Sequence, residues 1–228
     1  MEEQKKNSFF KDFILGIKTL KAVPGLVIIL IMFTIITFLM GPLKVLMSLY
    51  VHNVHGGQVG HYVLTLTFFQ GGIVIGAVIT SIKKNWSHKI RTIFISNGIG
   101  MVGLTILAIA PKGLYIIIGV GAVLMGLTLP IVSSLTSTFI QMTVPLDKMG
   151  RVSSISAAIT ASILPIGTIL SGPLAEILGI SSLFFYCAIL GLIVTFSIWT
   201  FTNIRKVDFD NVAENREKID NKINNVIN

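Results

Sequence analysis

Long stretches without a charged residue alternate with short polar connectors along most of this chain. The first such stretch runs from Ala22 to Leu43. As a helix rising about 1.5 Å per residue, it is long enough to cross roughly 30 Å of hydrocarbon. Five more stretches follow, over residues 60–82, 92–111, 113–146, 152–175 and 177–204. The pattern predicts an all-α integral membrane protein with six transmembrane helices.

Glycine and proline interrupt the first and fourth stretches at matching positions. Gly25 opens the first stretch and Pro42 interrupts it, and Gly113 and Pro130 do the same in the fourth, at the same distance. Proline inside a helix removes a backbone hydrogen bond, so both helices should bend, the first one continuing to about Tyr50. Because the two helices would cross the membrane in opposite directions, the match predicts a three-plus-three inverted repeat. The alternative is coincidence, since proline is common in membrane helices.

Two further features of the apolar stretches concern helix packing. Gly72 and Gly76 lie four residues apart in the second stretch, a spacing that lets a neighbouring helix approach closely. Cys187, the only cysteine, lies inside an apolar run. It excludes an intrachain disulfide and is expected to be a small residue that faces lipid or the core.

The composition agrees with a membrane protein and argues against a soluble domain or a nucleic-acid-binding protein. Charged residues make up 12% of the chain and hydrophobic residues 53%, whereas a soluble domain carries about 25% charged residues. The net charge of +8 could indicate a nucleic-acid partner. The basic residues, however, lie between apolar runs and form no continuous face, so we expect no nucleic-acid binding.

The distribution of positive charge predicts how the helices are oriented. Sixteen of the 18 Lys and Arg residues fall on segments that six crossings place on one face. Because positive connectors stay inside, we expect a multi-pass protein of the cell membrane with both termini cytoplasmic. Three regions follow: a leader over residues 1–22, a six-helix bundle over 23–204, and a charged cytoplasmic tail over 205–228. The leader is expected to be an amphipathic surface helix, with a solvated segment as the alternative.

A polar hinge joins the fourth and fifth stretches and is the most specific motif in the chain. The run Ile140-Gln-Met-Thr-Val-Pro-Leu-Asp-Lys-Met-Gly-Arg-Val152 resembles the loop between helices ten and eleven of the major facilitator superfamily, in its macrolide-efflux and enterobactin-exporter-like branch. Phe10-Lys-Asp-Phe-Ile-Leu-Gly16 resembles the cytoplasmic helix before helix seven of that branch. Ile166-Gly-Thr-Ile-Leu-Ser-Gly-Pro-Leu-Ala-Glu-Ile-Leu-Gly179 resembles its helix eleven. The resemblance covers about residues 8–204.

The resemblance implies a fold, and the chain departs from the family in two respects. It implies that the six stretches are the C-terminal six-helix half of a twelve-helix transporter, whereas the chain looks like these last six helices only. The second-to-third connector lacks the family's Gly-x-x-x-Asp-Arg pattern, because Gly76 is followed by Thr80 and then by Lys83-Lys84. The departure weakens any expectation of the usual charged gate in this connector.

The function implied by the resemblance is efflux of lipophilic drugs such as macrolides, by alternating access and with coupling to protons expected. An alternative is export of a siderophore-like metabolite. A third reading is a truncated membrane module without transport activity unless it pairs with an N-terminal half. The expected partners are the lipid bilayer, a small lipophilic substrate, and either an N-terminal half or a second copy of the chain. A lone half would expose polar cavity groups to hydrocarbon, which is costly.

Candidate substrate-cavity residues are polar side chains on helices that the resemblance places around a central cavity. Ser134, Thr138 and Gln141 lie four and three residues apart, and therefore on one face of the fourth helix. The other candidates are Thr34 and Thr37 on the first helix and Gln70 in the second. Their alternative role is hydrogen bonding to the backbone or to a neighbouring helix, which is favoured for single Ser and Thr residues.

Four charged residues form two further candidate sites. Lys44 and Glu176 fall toward the outer ends of the first and fifth helices, where they could form an ion pair or reach water separately. Asp147 and Arg151 lie four residues apart in the hinge. They could pair with each other, clamp onto the N-terminal half, or act separately as a helix cap and a topology charge. Neither Lys44 nor Glu176 is well placed to carry a proton, so the coupling carboxylate is expected in the other half.

Catalysis and metal binding find no support in the sequence. There is no paired carboxylate, no nucleophile motif and no phosphate-binding glycine loop, so we expect neither an enzyme nor a cofactor. His52 and His55 lie in a glycine-rich loop without a nearby carboxylate. They are expected to be solvated loop residues rather than metal ligands.

Overall fold

The six predicted spans are present as helices in the computed structural model, which describes residues 17–18, 20–23, 25–83, 86, 88–202 and 204. The first span combines α1, α2 and a π-helical turn, and the second to sixth spans are α3 to α7. Their bounds are α1 Leu26–Leu39, α2 Gly41–Leu49, the π-helical turn Tyr50–Val54, α3 Val59–Ile82, α4 Lys89–Ala108, α5 Tyr115–Thr143, α6 Leu146–Leu178 and α7 Ile180–Phe201. All six spans are long and apolar enough to cross a membrane. The chain is a multi-pass membrane protein.

Two regions predicted from the sequence fall largely outside the described residues. The tail from residue 205 lies outside them, as does most of the leader. Residues 17–18 and 20–22 are helical, and Leu20 is buried among apolar residues of the bundle. The last residues of the leader therefore pack onto the first span.

The helix ends differ from those predicted from the charge pattern. The third span begins at Lys89, three residues earlier than expected. The fifth runs from Leu146 to Leu178 and so contains most of the polar hinge. Only Val144 and Pro145 separate the fourth and fifth spans. Charged side chains mark the edge of the hydrocarbon, whereas a helix can continue into the headgroup region because long side chains there reach water.

The prolines of the first and fourth spans act differently. The first span breaks between Leu39 and Gly41, beside Pro42, and then continues as expected, but it ends at Val54 rather than near Tyr50. The fourth span stays helical through Pro130. Since a proline lacks only one donor, a helix can continue through it when neighbouring turns and hydroxyls satisfy the local backbone.

The spans pack in an order that supports the predicted inverted repeat. Following the principal helix–helix contacts, the order is second, fourth, third, sixth, first and fifth. If the first span is exchanged with the fourth, the second with the fifth and the third with the sixth, the same series results in reverse order. The second and fifth spans are therefore equivalent and stand at the two ends of the series.

Glycines set close helix approaches between the two repeats. A Cβ atom at Gly72 or Gly76 would overlap backbone carbonyl oxygens of the fourth span, and one at Gly126 would overlap a carbonyl of the second. This confirms the close approach predicted from the Gly72–Gly76 spacing. At the equivalent contact of the first and fifth spans, a Cβ at Gly41 would lie 2.7 Å from the carbonyl carbon of Gly167. Each end span is thus held by backbone contact with a span of the other repeat.

Two apolar clusters fill opposite ends of the bundle. One surrounds the connector between the fourth and fifth spans and includes Ile29, Phe94, Phe139, Val144 and Ile204; we call this the hinge end. The other surrounds the connector between the first and second spans and is built on other residues; we call this the histidine end. Its fully buried large side chains are Tyr50, Leu104, Leu107, Ile118 and Phe184.

Candidate substrate cavity and the two ends of the bundle

The second and fifth spans are far less buried than the spans between them. Only 17% of the apolar window of each is buried, against 50% for the fourth and 56% for the third. Their exposed apolar residues include Val74, Val78, Ile169 and Ile177. A helix that is apolar on its exposed face must meet lipid or another apolar protein surface.

Three of the predicted cavity residues are exposed polar side chains. Gln70 on the second span and Ser134 and Gln141 on the fourth are exposed. No hydrogen bond is recorded for their side chains within the described part of the chain. In hydrocarbon an unsatisfied amide would cost several kcal/mol, so these three groups need water, a ligand or a partner protein.

The three threonine candidates are less available for contact with a ligand. The hydroxyl of Thr34 donates to the carbonyl of Leu30 at 2.8 Å, and that of Thr138 donates to the carbonyl of Ser134 at 2.9 Å. Thr37 is half-buried. Thr34 and Thr138 thus already satisfy their hydroxyls on their own helix, the alternative role weighed from the sequence. The structure places all six candidates on the first, second and fourth spans without recording a contact among their side chains.

A surface depression lies elsewhere in the bundle. It opens at the histidine end between the third and sixth spans and is lined by Ala108, Ile109, Ser181 and Phe185 among others. It is shallow and does not include any of the predicted cavity residues.

The hinge is held by apolar residues around one buried basic side chain. Val144 and Val152 are fully buried, and Lys148 is only 7% exposed. Pro145 occupies the N-cap position of the fifth span, and Asp147 lies in the first helical turn. Arg151 is exposed on the next turn.

The proposed outer ion pair is not formed in this structure. Lys44 on the first span and Glu176 on the fifth are both exposed. The two spans pack against each other, yet no ion pair between these side chains is recorded among the described residues. Each charged group is therefore exposed at the surface of the bundle on its own.

The histidine end contains a buried polar network that the sequence did not reveal. His55 was expected to be solvated, and this was wrong, because only 3% of it is exposed. Its Nδ1 accepts a hydrogen bond from the backbone N–H of Gly113 at 3.4 Å. Its backbone carbonyl accepts one from the hydroxyl of Tyr115 at 3.0 Å. His52, which is exposed, instead has its Nδ1 3.0 Å from the carbonyl oxygen of Gly57 in the same loop.

Aromatic rings enclose this network. The rings of Tyr50 and His55 meet edge to face with centroids 4.6 Å apart, and Tyr115 stacks on His61 at 4.0 Å. The hydroxyl of Tyr50 donates to the carbonyl of Leu107 on the third span at 2.5 Å. Histidine and tyrosine at helix ends were the available sequence signal, but their sequence positions do not show that they meet.

Burial lowers the pKa of the His55 imidazole below its usual value. Loss of hydration disfavours the charged ring, and this is the largest cause. The carbonyl of Pro111 near the ring acts in the opposite direction, while the positive charge of Lys112 lowers the pKa further. His55 is therefore neutral at pH 7.

The third span contains a further polar residue that was missed. Asn97 is buried, and its side-chain amide lies 3.8 Å from the sulfur of Met32 on the first span. An isolated asparagine within an apolar stretch was the signal that could have found it. It connects the third span to the first near the middle of the bundle.

Comparison with known proteins gives one consistent set of relatives. Macrolide efflux protein A of Streptococcus pyogenes is 26% identical over 201 residues, covering 88% of this chain and 50% of that protein. Macrolide efflux protein A of Enterococcus faecalis is 26% identical over 160 residues, covering 70% of this chain and 50% of the relative. The chain thus spans about half the length of the curated relatives it matches.

The other comparisons give no match. No family model matches the sequence, and no solved structure matches it significantly. The resemblance inferred from the hinge residues is nevertheless confirmed. This chain is similar to macrolide efflux proteins, and its six apolar helices fit one half of a major facilitator superfamily fold.

Proposed function

We propose that this chain is the C-terminal half of a secondary active transporter of the cell membrane that exports lipophilic drugs such as macrolides. Transport proceeds by alternating access and is coupled to protons. The observation that carries the proposal is the similarity to macrolide efflux proteins over 88% of the chain. The self-reversing packing order of the six spans supports the same conclusion, because inverted repeats are a building unit of secondary transporters.

The exposed faces of the second and fifth spans support the proposal that this chain binds a partner protein. These spans stand at the two ends of the packing series and are the least buried. An N-terminal half that covers both would shield the polar residues between them from lipid. A second copy of this chain is the other candidate for this position.

The substrate site is proposed to include Gln70, Ser134 and Gln141. Each is exposed and has no side-chain hydrogen bond recorded within the described residues. A few such polar groups on an apolar wall suit a large lipophilic ligand that carries scattered hydroxyl and carbonyl groups. Thr34, Thr37 and Thr138 would contribute mainly to the shape of the wall.

The proton carrier is proposed to lie in the partner half. Between residues 13 and 207 the sequence has only two carboxylates, Asp147 and Glu176. The first stands in the opening turn of the fifth span and the second is exposed in its last turn. Neither position is within the apolar core, where a coupling carboxylate would act.

The hinge end is proposed to face the cytoplasm. The described basic residues at this end are Lys18, Lys21, Lys83, Lys89, Arg91, Lys148 and Arg151, against Lys44 and Lys112 at the histidine end. Leu20 and Ile204 belong to the same hinge-end cluster, so the two ends of the described chain lie on one side. Because positive connectors stay inside the cell, this distribution supports a cytoplasmic position for both ends of the described chain and for the hinge.

Accumulation of a radiolabelled macrolide in cells that lack their own macrolide pump tests the proposal. Four strains are compared: empty vector, this chain alone, the N-terminal half of the Streptococcus pyogenes relative alone, and both halves together. The two halves together should lower accumulation severalfold, and dissipating the proton gradient should restore it. Unchanged accumulation with both halves present in the membrane contradicts drug export.

Variants of the proposed site sharpen the test. Replacing Gln70 and Gln141 by Leu should raise drug accumulation in the paired strain. Thr67→Val is the matched control, because the hydroxyl of Thr67 is exposed on the second span but already donates to the carbonyl of Val63 at 2.9 Å. Equal effects of the site and control variants would contradict the assigned site.

A membrane module without transport activity unless it pairs with an N-terminal half is the second candidate, and the exposed apolar faces of the second and fifth spans favour it. In that case the chain alone should reach the membrane and leave macrolide accumulation unchanged, and any fall in accumulation should require the N-terminal half. Efflux of a siderophore-like metabolite by the paired strain, with no effect on macrolides, would instead support the alternative substrate.

A further inference from the structure

The connector of the first two spans folds back so that one histidine points into the bundle. A π-helical turn over Tyr50–Val54 precedes it, and Gly56 has a φ of 68°, a conformation that favours glycine. The N–H of Gly57 donates to the carbonyl of Val51 at 2.8 Å. These features bury the imidazole of His55 while His52, three residues earlier, remains exposed.

The buried histidine joins the two three-helix repeats. His55 follows the first span of one repeat, whereas Tyr115 opens the first span of the other. The turn between the repeats carries Gly113, whose φ of 82° orients its N–H. Gly113 donates to the ring and Tyr115 donates to the backbone of His55. The contact therefore spans the junction of the repeats at the histidine end.

The hydrogen bonding requires a neutral imidazole. Nδ1 can accept the Gly113 N–H only while it carries no proton. The other nitrogen, Nε2, is buried and has no hydrogen-bond partner in the structure. A second proton on this ring would remove the Gly113 bond and leave a buried cation without an anionic partner, which is costly.

The charged groups around His55 do not compensate a positive charge, although the carbonyl of Pro111 favours the protonated ring. The turn contributes Lys112, whose charge opposes protonation. The first span contributes Tyr50, and the fourth contributes Tyr115, which stacks on His61 of the second. Glu176, the carboxylate that the sequence places at this end, is exposed on the fifth span and is not among the charges that act on His55.

We propose that the connector at residues 55–58 and the turn at residues 111–115 form a proton-sensitive latch between the two repeats. The latch is closed while the His55 imidazole is neutral. Protonation breaks the Gly113 hydrogen bond and separates the connector from the turn. The latch depends on the folded chain alone and not on the proposed substrate.

Amide hydrogen exchange of the purified full chain in nanodiscs tests this inference. Protection is measured relative to the intrinsic exchange rate at each pH, from about pH 8 to about pH 5, a range that brackets the ordinary pKa of histidine. In the wild type, protection should fall severalfold on acidification in peptides covering residues 50–58 and 111–117. Peptides covering the hinge, residues 142–152, should keep their protection.

Two variants separate the latch from general acid effects. His55→Gln cannot gain a proton, and its amide oxygen can still accept from Gly113, so its loop peptides should keep their protection in acid. His52→Gln is the matched control, because it removes an exposed histidine from the same connector, and it should respond like the wild type. Constant protection in the wild type down to about pH 5, or equal loss in His55→Gln, would overturn the proposal.

A spectroscopic titration of the wild-type chain provides a readout that does not require any substitution. The chain has four histidines, and ¹⁵N labelling of the imidazoles follows each ring as pH falls. The His55 resonance should change in the same pH range as the loss of loop protection. A His55 signal that stays constant while the loop loses protection, or that changes while the loop stays protected, would contradict the latch.

Discussion

The histidine-end connector and the hinge occupy equivalent positions in the two repeats, yet they are built differently. The first joins the first two spans of one repeat, and the second joins the first two spans of the other. The histidine-end connector closes around buried polar rings and carries little charge. The hinge closes around Val144 and Val152 and holds Lys148 and Arg151. The same connection between two spans can thus be closed by buried polar rings or by buried apolar side chains. The distribution of basic residues distinguishes the two ends.

Removing the central ring of the histidine end should have the largest effect. Tyr50 is fully buried and contacts both His55 and Phe184, so Tyr50→Ala leaves a large cavity. Loss of a buried aromatic ring costs about 3–5 kcal/mol. We expect a marked fall in the unfolding temperature measured by fluorescence-detected size-exclusion chromatography. Tyr186→Ala is the control, since Tyr186 is 51% exposed, and a similar fall there would contradict the central role of Tyr50.

The two ends should react oppositely with a thiol reagent that cannot cross the membrane. In a Cys187→Ala background, Asn53→Cys exposes a thiol at the histidine end and Arg151→Cys exposes one at the hinge end, since both native residues are exposed. Positive connectors stay inside. We therefore expect intact cells to label position 53 but to label position 151 only after permeabilisation. The reverse pattern would show that the bundle has the opposite orientation.

Acid should destabilise the histidine end rather than the hinge. The pKa of His55 is lowered in the folded chain, whereas the unfolded value is about 6.5. The unfolded chain therefore binds the proton first, and stability falls as pH drops below about 6.5 until the lowered folded value is passed. The unfolding temperature of the wild type should fall over this range more than that of His55→Gln. Parallel curves would mean that other groups cause the acid effect.

The smallest effect is expected at the start of the second span. The Nδ1 of His61 accepts the backbone N–H of Gln58 at 3.1 Å, and the two side chains form a capping box. Loss of such a cap costs about 1 kcal/mol, so His61→Ala should lower the unfolding temperature slightly. His88→Ala is the control, because exposed His88 precedes the third span without a side-chain capping bond. An effect of His88→Ala as large as that of His61→Ala would contradict a specific cap.

Local patterns predicted those parts of the fold that depend on one helix at a time. Charge-free length predicted the six spans, because a helix in hydrocarbon must satisfy its backbone and exclude charge along its whole length. Gly72 and Gly76 predicted a close helix contact, and Pro42 predicted the break in the first span. Helix ends were predicted less well: charge marks the edge of the hydrocarbon, and the fifth span continues past Lys148 and Arg151.

The candidate site stays a prediction, and the structure adds how its residues differ in exposure. Gln70, Ser134 and Gln141 are exposed polar groups on apolar spans, whereas Thr34 and Thr138 use their own backbone. The difference depends on which face each residue presents to a neighbour, and the period of a single helix does not determine this. The absence of a Lys44–Glu176 contact in the described chain has the same origin, since packed helices can direct two side chains apart.

The sequence alone determined the solvent of this protein, the number of its crossings and its kinship with macrolide efflux proteins. These properties follow from residue polarity and spacing along the chain. Only the tertiary structure placed His55, Gly113 and Tyr115 in one network, because His55 is 58 and 60 positions from the other two residues. Burial converts a histidine that looked solvated into a neutral hydrogen-bond acceptor, since hydration is lost only when the two repeats pack together.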